Sequence, residues 1–247
     1  MGITAFIPSR YGSTRFPAKP LALIDGKPMI QHVYKCAVSC PDISDVYVVT
    51  DDERISGCVE DFGGKAVMTA KEHQSGTDRI AEAVQKLGLR DDDLVVNVQG
   101  DQPLFDPSVI SLMVAPLIKD AGIPMSTVKY RLTDEDEIQN INIVKVVTDN
   151  DDFALYFSRS TIPFYRDLTS GNAYYKHLGF YAYRKGFLLR FTGLPSGRLE
   201  TAEKLEQLRA LEYGYRIKVV ETIHDSVEVD SPEDILKVEK MSKSHNK

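Results

Sequence analysis

No run of apolar residues approaches the roughly 18 needed for a membrane-spanning helix. The N-terminus also lacks the charged-then-apolar pattern of a secretory signal, which points to a cytoplasmic protein. Basic residues are outnumbered, 30 Lys and Arg against 36 Asp and Glu, for a net charge of -6. That balance argues against a nucleic-acid partner, which needs a basic face, but it leaves room for a small anion held by local cations. Cysteine is scarce. Cys36, Cys40 and Cys58 are odd in number, show no zinc spacing and lie in core-like segments, so they read as buried thiols in a reducing compartment. Two phosphate-binding signatures are missing, G-x-G-x-x-G and G-x-x-x-x-G-K-[ST]. The first absence counts against a nicotinamide-dependent dehydrogenase and the second against an ATPase-type phosphate loop. No internal repeat, low-complexity segment or linker interrupts the 247 residues, whose 43% hydrophobic content suits one soluble domain with a sizeable core.

What is present begins with a short apolar strand, residues 3–7, that runs straight into a loop carrying Arg10, Arg15 and Lys19 among Gly12, Ser13 and Thr14. Fixed cations and hydroxyl or backbone donors at the end of a first strand suit a polyphosphate; a solvated basic loop is the plainer alternative. Further apolar strands are expected at 46–50, 66–68 and 94–98, alternating with helices at 29–39, 53–62 and 76–87 and a helix opening at Asp106-Pro107. This alternation predicts an α/β fold with a mostly parallel sheet covered by helices, which binds ligands at the carboxyl ends of its strands. The loops at 10–19, 73–79 and 99–103 should converge there. From about residue 123 the pattern becomes less regular, with strands expected at 127–131, 144–148, 154–158, 177–183 and 217–221. Helices are expected at 186–194 and 199–213, and a last one opens after Ser231. We read a single domain with a nucleotide-binding core, about 1–122 and 217–247, and a lobe at about 123–216 that holds a second substrate.

Asp101, placed by Gly100 just past a buried strand, can reach the mouth of such a site, and so can Asp230 after the apolar residues 227–229. Two strand-end carboxylates make a plausible Mg²⁺ pair, since that ion combines one or two carboxylates with phosphate oxygens. A turn aspartate and a helix-entry aspartate are the respective alternatives. Ser75, Gly76 and Arg79 could read a base edge or a phosphate, with an ordinary helix cap compatible with either. His177 in a strand, and Glu206 and Gln207 in mid-helix, carry no signal of their own beyond a structural histidine and a solvated face.

Eight segments together resemble the 3-deoxy-manno-octulosonate (Kdo) cytidylyltransferase family, from end to end and in family order. They are residues 7–15, 73–79, 98–101, 144–147, 154–159, 176–179, 205–209 and 229–234. The resemblance implies a nucleotide-diphosphosugar-transferase (Rossmann-like) fold whose inserted lobe binds sugar and serves a homodimer. It implies an enzyme that uses CTP and Mg²⁺ to make CMP-Kdo for lipopolysaccharide assembly. In that family reading Arg10, Ser13, Arg15 and Lys19 hold the phosphates, with Ser75 and Gly76 at cytosine and Arg79 nearby. Asp101 and Asp230 bind Mg²⁺, while Gln99, Arg159, His177, Tyr181, Glu206 and Gln207 face the sugar acid. Arg10, Lys19, Asp101 and Asp230 are then the residues on which turnover depends. Their joint presence favours an enzyme over a non-catalytic nucleotide-binding module.

Three positions depart from the family pattern. Gln102 stands where Glu is usual, Ile141-Asn142-Ile143 replaces Asn-Pro-Asn, and Ala18 replaces a common Gly. A subset that activates the 8-amino-8-deoxy sugar shares Gly-Asp-Gln-Pro, here Gly100 to Pro103, and the helix sequence found at Lys204–Gly214. Kdo is the expected sugar, and its 8-amino analogue the alternative.

Overall fold

The computed structural model describes residues 1–12, 16–167 and 171–245. Ser13 and Arg15 therefore lie outside the described residues. The chain runs β1 (Ile3–Pro8), β2 (Leu23–Ile24), β3 (Lys27–Pro28), α1 (Met29–Val38), β4 (Asp45–Thr50), α2 (Glu53–Asp61) and β5 (Ala66–Met68). It continues through α3 (Gly76–Lys86), β6 (Leu94–Asn97), α4 (Ser108–Lys119), β7 (Met125–Leu132), α5 (Glu135–Gln139), β8 (Lys145–Thr148) and β9 (Ala154–Ser158). It closes with β10 (Tyr174–Arg184), α6 (Lys185–Thr192), α7 (Arg198–Glu203), α8 (Gln207–Glu212), β11 (Ile217–Thr222) and α9 (Pro232–His245).

Side chains of β1 alternate between two cores, as the pleat requires. Ala5 and Ile7 pack with Ile30 and Val33 of α1, Ile55 and Val59 of α2, and Val109, Ile110 and Met113 of α4. Phe6 points the other way, to Ile80 and Val84 of α3 and Phe187, Leu188 and Phe191 of α6. Both faces of the sheet are thus covered, which is why its central strands read as unbroken apolar runs. The strand order is β11-β7-β10-β6-β1-β4-β5, with the β8–β9 hairpin branching from β10. Pairs β6–β1, β1–β4, β4–β5 and β11–β7 are parallel. Only β10 in that order opposes its neighbours β6 and β7. Among the described residues, no helix is long and apolar enough to cross a membrane.

Residues 123–216 contribute β7 and β10 to the middle of this sheet as well as the outlying hairpin. Tyr181 of β10 pairs with Asn97 at the end of β6, so Tyr174–Phe180 overhangs the carboxyl edge where ligands are expected.

Two sequence expectations change. The helix expected at 199–213 is two helices, because Lys204 adopts a left-handed φ of 55° between α7 and α8. Residues 227–229 form no strand; Val229 instead donates its N–H to the Asp101 carbonyl at 2.9 Å. Hairpin β2–β3 and helix α5 carry too few residues for periodicity to announce them. Cys40 is buried as expected, whereas Cys36 and Cys58 are half-buried. Burial raises the pKa of both half-buried thiols and keeps them protonated.

Candidate active site

Loops after β1, β5 and β6 meet around a cavity of about 320 Å³ lined by Arg10, Lys19, His73, Ser75, Gly76, Arg79, Gln99 and Asp101. Two glycines let the loops close on one another. A Cβ on Gly100 would stand 2.9 Å from the Pro8 carbonyl oxygen and 3.0 Å from Ser9 Oγ. One on Gly76 would stand 3.0 Å from Pro8 Cγ. Ser75 caps α3 reciprocally: its Oγ accepts from the Asp78 N–H at 3.1 Å, and its own N–H donates to Asp78 Oδ2 at 3.3 Å.

Lys19 joins the ends of the chain. Its Nζ donates to Asp101 Oδ2 at 2.8 Å and to the Val229 carbonyl at 2.9 Å, and lies 3.7 Å from Asp230 Oδ1. Asp234 steadies Asp230 from the first turn of α9. Its Oδ2 accepts from the backbone N–H groups of Asp230 at 3.2 Å and Ser231 at 3.0 Å. Ser231 Oγ donates to that same oxygen at 2.9 Å, so Ser231 and Asp234 form the helix opening together. Burial works against the Asp234 carboxylate, but Lys237, Ser231 and these N–H groups bring its pKa to about 2.

Arg79 lines the cavity, yet its buried guanidinium is engaged by Asp51 at 3.1 Å, Thr69 Oγ1 at 2.5 Å and the Ala70 carbonyl at 3.2 Å. The geometry makes it a brace for the loop after β5. Arg10 is exposed at the cavity mouth.

A second cavity of about 640 Å³ adjoins the first, sharing Gly76 and Gln99. Its lining includes His177, Tyr181, Glu206 and Gln207, four of the residues expected at the sugar. Glu206 and Gln207 reach it because α7 breaks at Lys204, so Gln207 is 5% exposed and not on a solvated face. Thr77 donates to the Glu206 carboxylate; burial raises that carboxyl's pKa. Gln207 Nε2 and Asn97 Oδ1 are buried without a hydrogen-bond partner. Such orphaned groups are costly unless a ligand satisfies them. His177 packs edge-on to Phe157 and beside Tyr181, with Nε2 2.8 Å from Thr127 Oγ1. Thr127 gives its own proton to the Phe180 carbonyl at 2.6 Å, so the imidazole is the donor. Burial lowers the His177 pKa to about 3 and keeps the ring neutral. Arg159 lines neither cavity; it donates to the carbonyls of Glu203 at 2.8 Å and Ile141 at 3.2 Å.

Several lining residues carried no sequence signal. A bulge in β10 between His177 and Tyr181, with Gly179 at φ 75°, turns two carbonyls toward the loop after β6. Gly179 O accepts from Gln99 Nε2 and Leu178 O from Gln102 Nε2, each at 2.8 Å. Gln102, 1% exposed, also meets Glu228 at 3.3 Å and accepts from Ser226 Oγ at 2.8 Å. Glu228 opens onto the cavity but is crowded by protein. Burial, followed by the nearby charges of Asp101 and Asp230, pushes its pKa up to about 7. Lys145, fully buried, satisfies the carbonyls of Asn140 at 2.8 Å and Ile143 at 2.6 Å and so holds the segment that replaces Asn-Pro-Asn.

This geometry agrees with what the chain is similar to. A family model described as cytidylyltransferase matches residues 4–223. A 3-deoxy-manno-octulosonate cytidylyltransferase of Syntrophus aciditrophicus (strain SB) is 58% identical over 236 residues, 96% of this chain and 95% of that one. An 8-amino-3,8-dideoxy-manno-octulosonate cytidylyltransferase of Shewanella oneidensis is 55% identical over 240 residues, 97% and 98% of the two chains. Among solved structures, a CMP:2-keto-3-deoxy-manno-octonic acid synthetase complexed with CTP superposes with a TM-score of 0.93 at 39% identity, covering 99% of this chain and all of that one. A 4-diphosphocytidyl-2C-methyl-D-erythritol synthase from Anaerococcus prevotii shares the fold, with a TM-score of 0.63 at 14% identity over 98% and 96% of the chains. The model match across most of the chain and the full-length identities place it in the cytidylyltransferase family, and it is a nucleotidyltransferase.

Proposed function

We propose that the chain transfers the cytidylyl group of CTP to the anomeric hydroxyl of 3-deoxy-manno-octulosonate or its 8-amino form, releasing pyrophosphate. The observation that carries this reading is the junction of Lys19, Asp101 and Asp230 beside two adjoining cavities, one rich in phosphate-binding groups and one in orphaned polar groups. The two sugars share every step of the reaction, and relatives of nearly equal identity are named for each.

The residues fit a Mg²⁺ ion. Two carboxylates share one lysine, and no group of three potential ligands among the described residues forms a self-sufficient metal cage. That is the donor set of an ion which completes its coordination with substrate phosphates and water. Asp101 and Asp230 would hold the ion, which would supply charge neutralisation at the phosphates and a lowered pKa of the attacking hydroxyl.

The residues themselves do the positioning. Ser75 and Gly76 present the start of α3 to the nucleotide, while Arg10 and Lys19 offset the negative charge that grows on the departing pyrophosphate. Gln99, held by Gly179, stands where the cavities join and orients the sugar acid toward the α-phosphate. The bond from the anomeric oxygen to the α-phosphorus forms as the bridge to the β-phosphate breaks. Pyrophosphate keeps the electron pair and the hydroxyl proton goes to solvent. No covalent nucleophile is required, as in other phosphoryl transfers run by placement and charge.

Within this reading the segment 123–216 binds the sugar and carries the surface of a homodimer, and the enzyme works in the cytoplasm for lipopolysaccharide assembly. Cavity-lining residues from 137 to 207 support the first part, and the family resemblance the rest. Asp101→Asn should lower kcat for pyrophosphate release at least about a hundredfold. Near-normal turnover of that variant at saturating Mg²⁺ would remove the role given to Asp101.

A further inference from the structure

Acidic side chains in the second cavity mostly have basic partners. Asp225 meets Lys176 at 2.5 Å, Asp234 meets Lys237 at 2.8 Å and Glu206 lies 3.8 Å from Arg209. Lys19 is held by Asp101. Glu228 and Glu137 have no ion-pair partner among the described residues, and of these two only Glu228 is held by Gln102. Among the described residues, no group of three side chains that could hold a metal ion includes Glu228.

Gln102 shows how Glu228 is held. Its Nε2 faces the Leu178 carbonyl at 2.8 Å and its Oε1 accepts from Ser226 at 2.8 Å, so the amide can only be oriented one way. In that orientation it offers Glu228 an N–H at 3.3 Å. A carboxylate at position 102 would set oxygens against both Leu178 O and Glu228. The same cavity carries the orphaned Gln207 Nε2 and Asn97 Oδ1, on residues 5% and 3% exposed, which mark it as built for a polar ligand.

We propose that Glu228, held by Gln102, accepts a primary ammonium at the end of the sugar acid's tail, so that the preferred substrate carries an amine at carbon 8 in place of the hydroxyl. The inference rests on the cytidylyl-transfer reading above. In the pyranose ring one oxygen joins the anomeric carbon, C2, to C6, and the two-carbon tail hangs from C6. Carbon 8 is therefore four bonds from the anomeric carbon, and with the anomeric hydroxyl set toward Asp101 and Asp230 the tail can turn to Glu228 on the wall of the second cavity. A terminal hydroxyl can give Glu228 one hydrogen bond. An ammonium gives the bond and also offsets a carboxylate crowded by two others, and charge-assisted bonds are about twice as strong as neutral ones.

The test is kcat/KM for pyrophosphate release from CTP, measured with the 8-hydroxy and 8-amino sugars on the wild type and on Glu228→Gln, with a Mg²⁺ titration of each. The wild type should favour the amine by about tenfold or more, and the variant should lose most of that ratio through a raised KM for the amine. The Mg²⁺ requirement should stay unchanged. A wild-type preference for the hydroxyl sugar overturns the inference, as does an unaltered ratio in Glu228→Gln. A raised Mg²⁺ requirement with the ratio intact also overturns it, by assigning Glu228 to the metal. Absence of pyrophosphate release with either sugar overturns the transfer reaction itself, a different failure from a wrong preference.

Discussion

Ala18 shows how one residue can be strained in place. It has φ 57° and ψ 22° at the turn leading into Lys19, the left-handed region where a Cβ is costly. Sequence comparison by resemblance marked this position as one where glycine is common, and the backbone shows the reason. Ala18→Gly removes strain of about 1–2 kcal/mol and adds back about 0.5–1 kcal/mol of unfolded-chain entropy. Urea denaturation should therefore find the variant more stable by about 0.5–1 kcal/mol; a loss of stability would contradict this. His177 gives a pH prediction. Its folded pKa of about 3 lies below the ordinary value near 6.5, so between these the unfolded chain binds the extra proton and stability falls as pH falls. From pH 7 to pH 5 this single group should cost on the order of 2 kcal/mol. His177→Asn should show a smaller drop across the same interval in paired denaturation curves. Equal drops in both proteins would show that the ring is not buried neutral. Nothing in the residues around His177 announced this, because the Thr127 hydroxyl and the Phe157 ring that enclose it come from other strands.

At the scale of elements, long periodic or continuous segments were legible and interruptions were not. Strand 66–68 and strand 154–158 match their expected bounds, and β1, β4 and β6 differ by a residue at an end. The break at Lys204 was hidden because a lysine gives no signal for a positive φ, yet it is this break that brings Glu206 and Gln207 to the cavity. The bulge at Gly179 was likewise unmarked within a strand of eleven residues. Gly100 is the junction most open to test. An alanine there puts its Cβ 2.9 Å from the backbone oxygen of Pro8 at the end of β1, so the loops bearing Asp101 and Arg10 must part. Displacements of about 1 Å at reacting groups cost up to about a hundredfold in rate. Gly100→Ala should thus lower kcat about ten- to a hundredfold while circular dichroism stays that of the wild type. Unchanged turnover would mean the loops can yield without moving the site.

Across the whole molecule, the doubly covered sheet and its ligand edge follow from the alternation of apolar strands with amphipathic helices. The convergence of Arg10, Lys19 and the loops at 73–79 and 99–103 was readable for the same reason, since parallel strands send their carboxyl ends to one side. The antiparallel placement of β10 was not, because pairing partners distant in sequence leave no periodic trace. That strand supplies the second cavity's wall, and with it Leu178 and Gly179, which orient Gln102 and Gln99. The polar network of Gln102, Ser226 and Glu228 joins positions separated by more than a hundred residues and became visible only in three dimensions. The most direct measurement is the fate of CTP incubated with Mg²⁺ and either octulosonate sugar. One pyrophosphate released for each sugar consumed, with the cytidylyl group recovered on the sugar, is the expected result. Tight CTP binding with no sugar-dependent pyrophosphate, or release of free CMP alone, would contradict cytidylyl transfer as the work of this site.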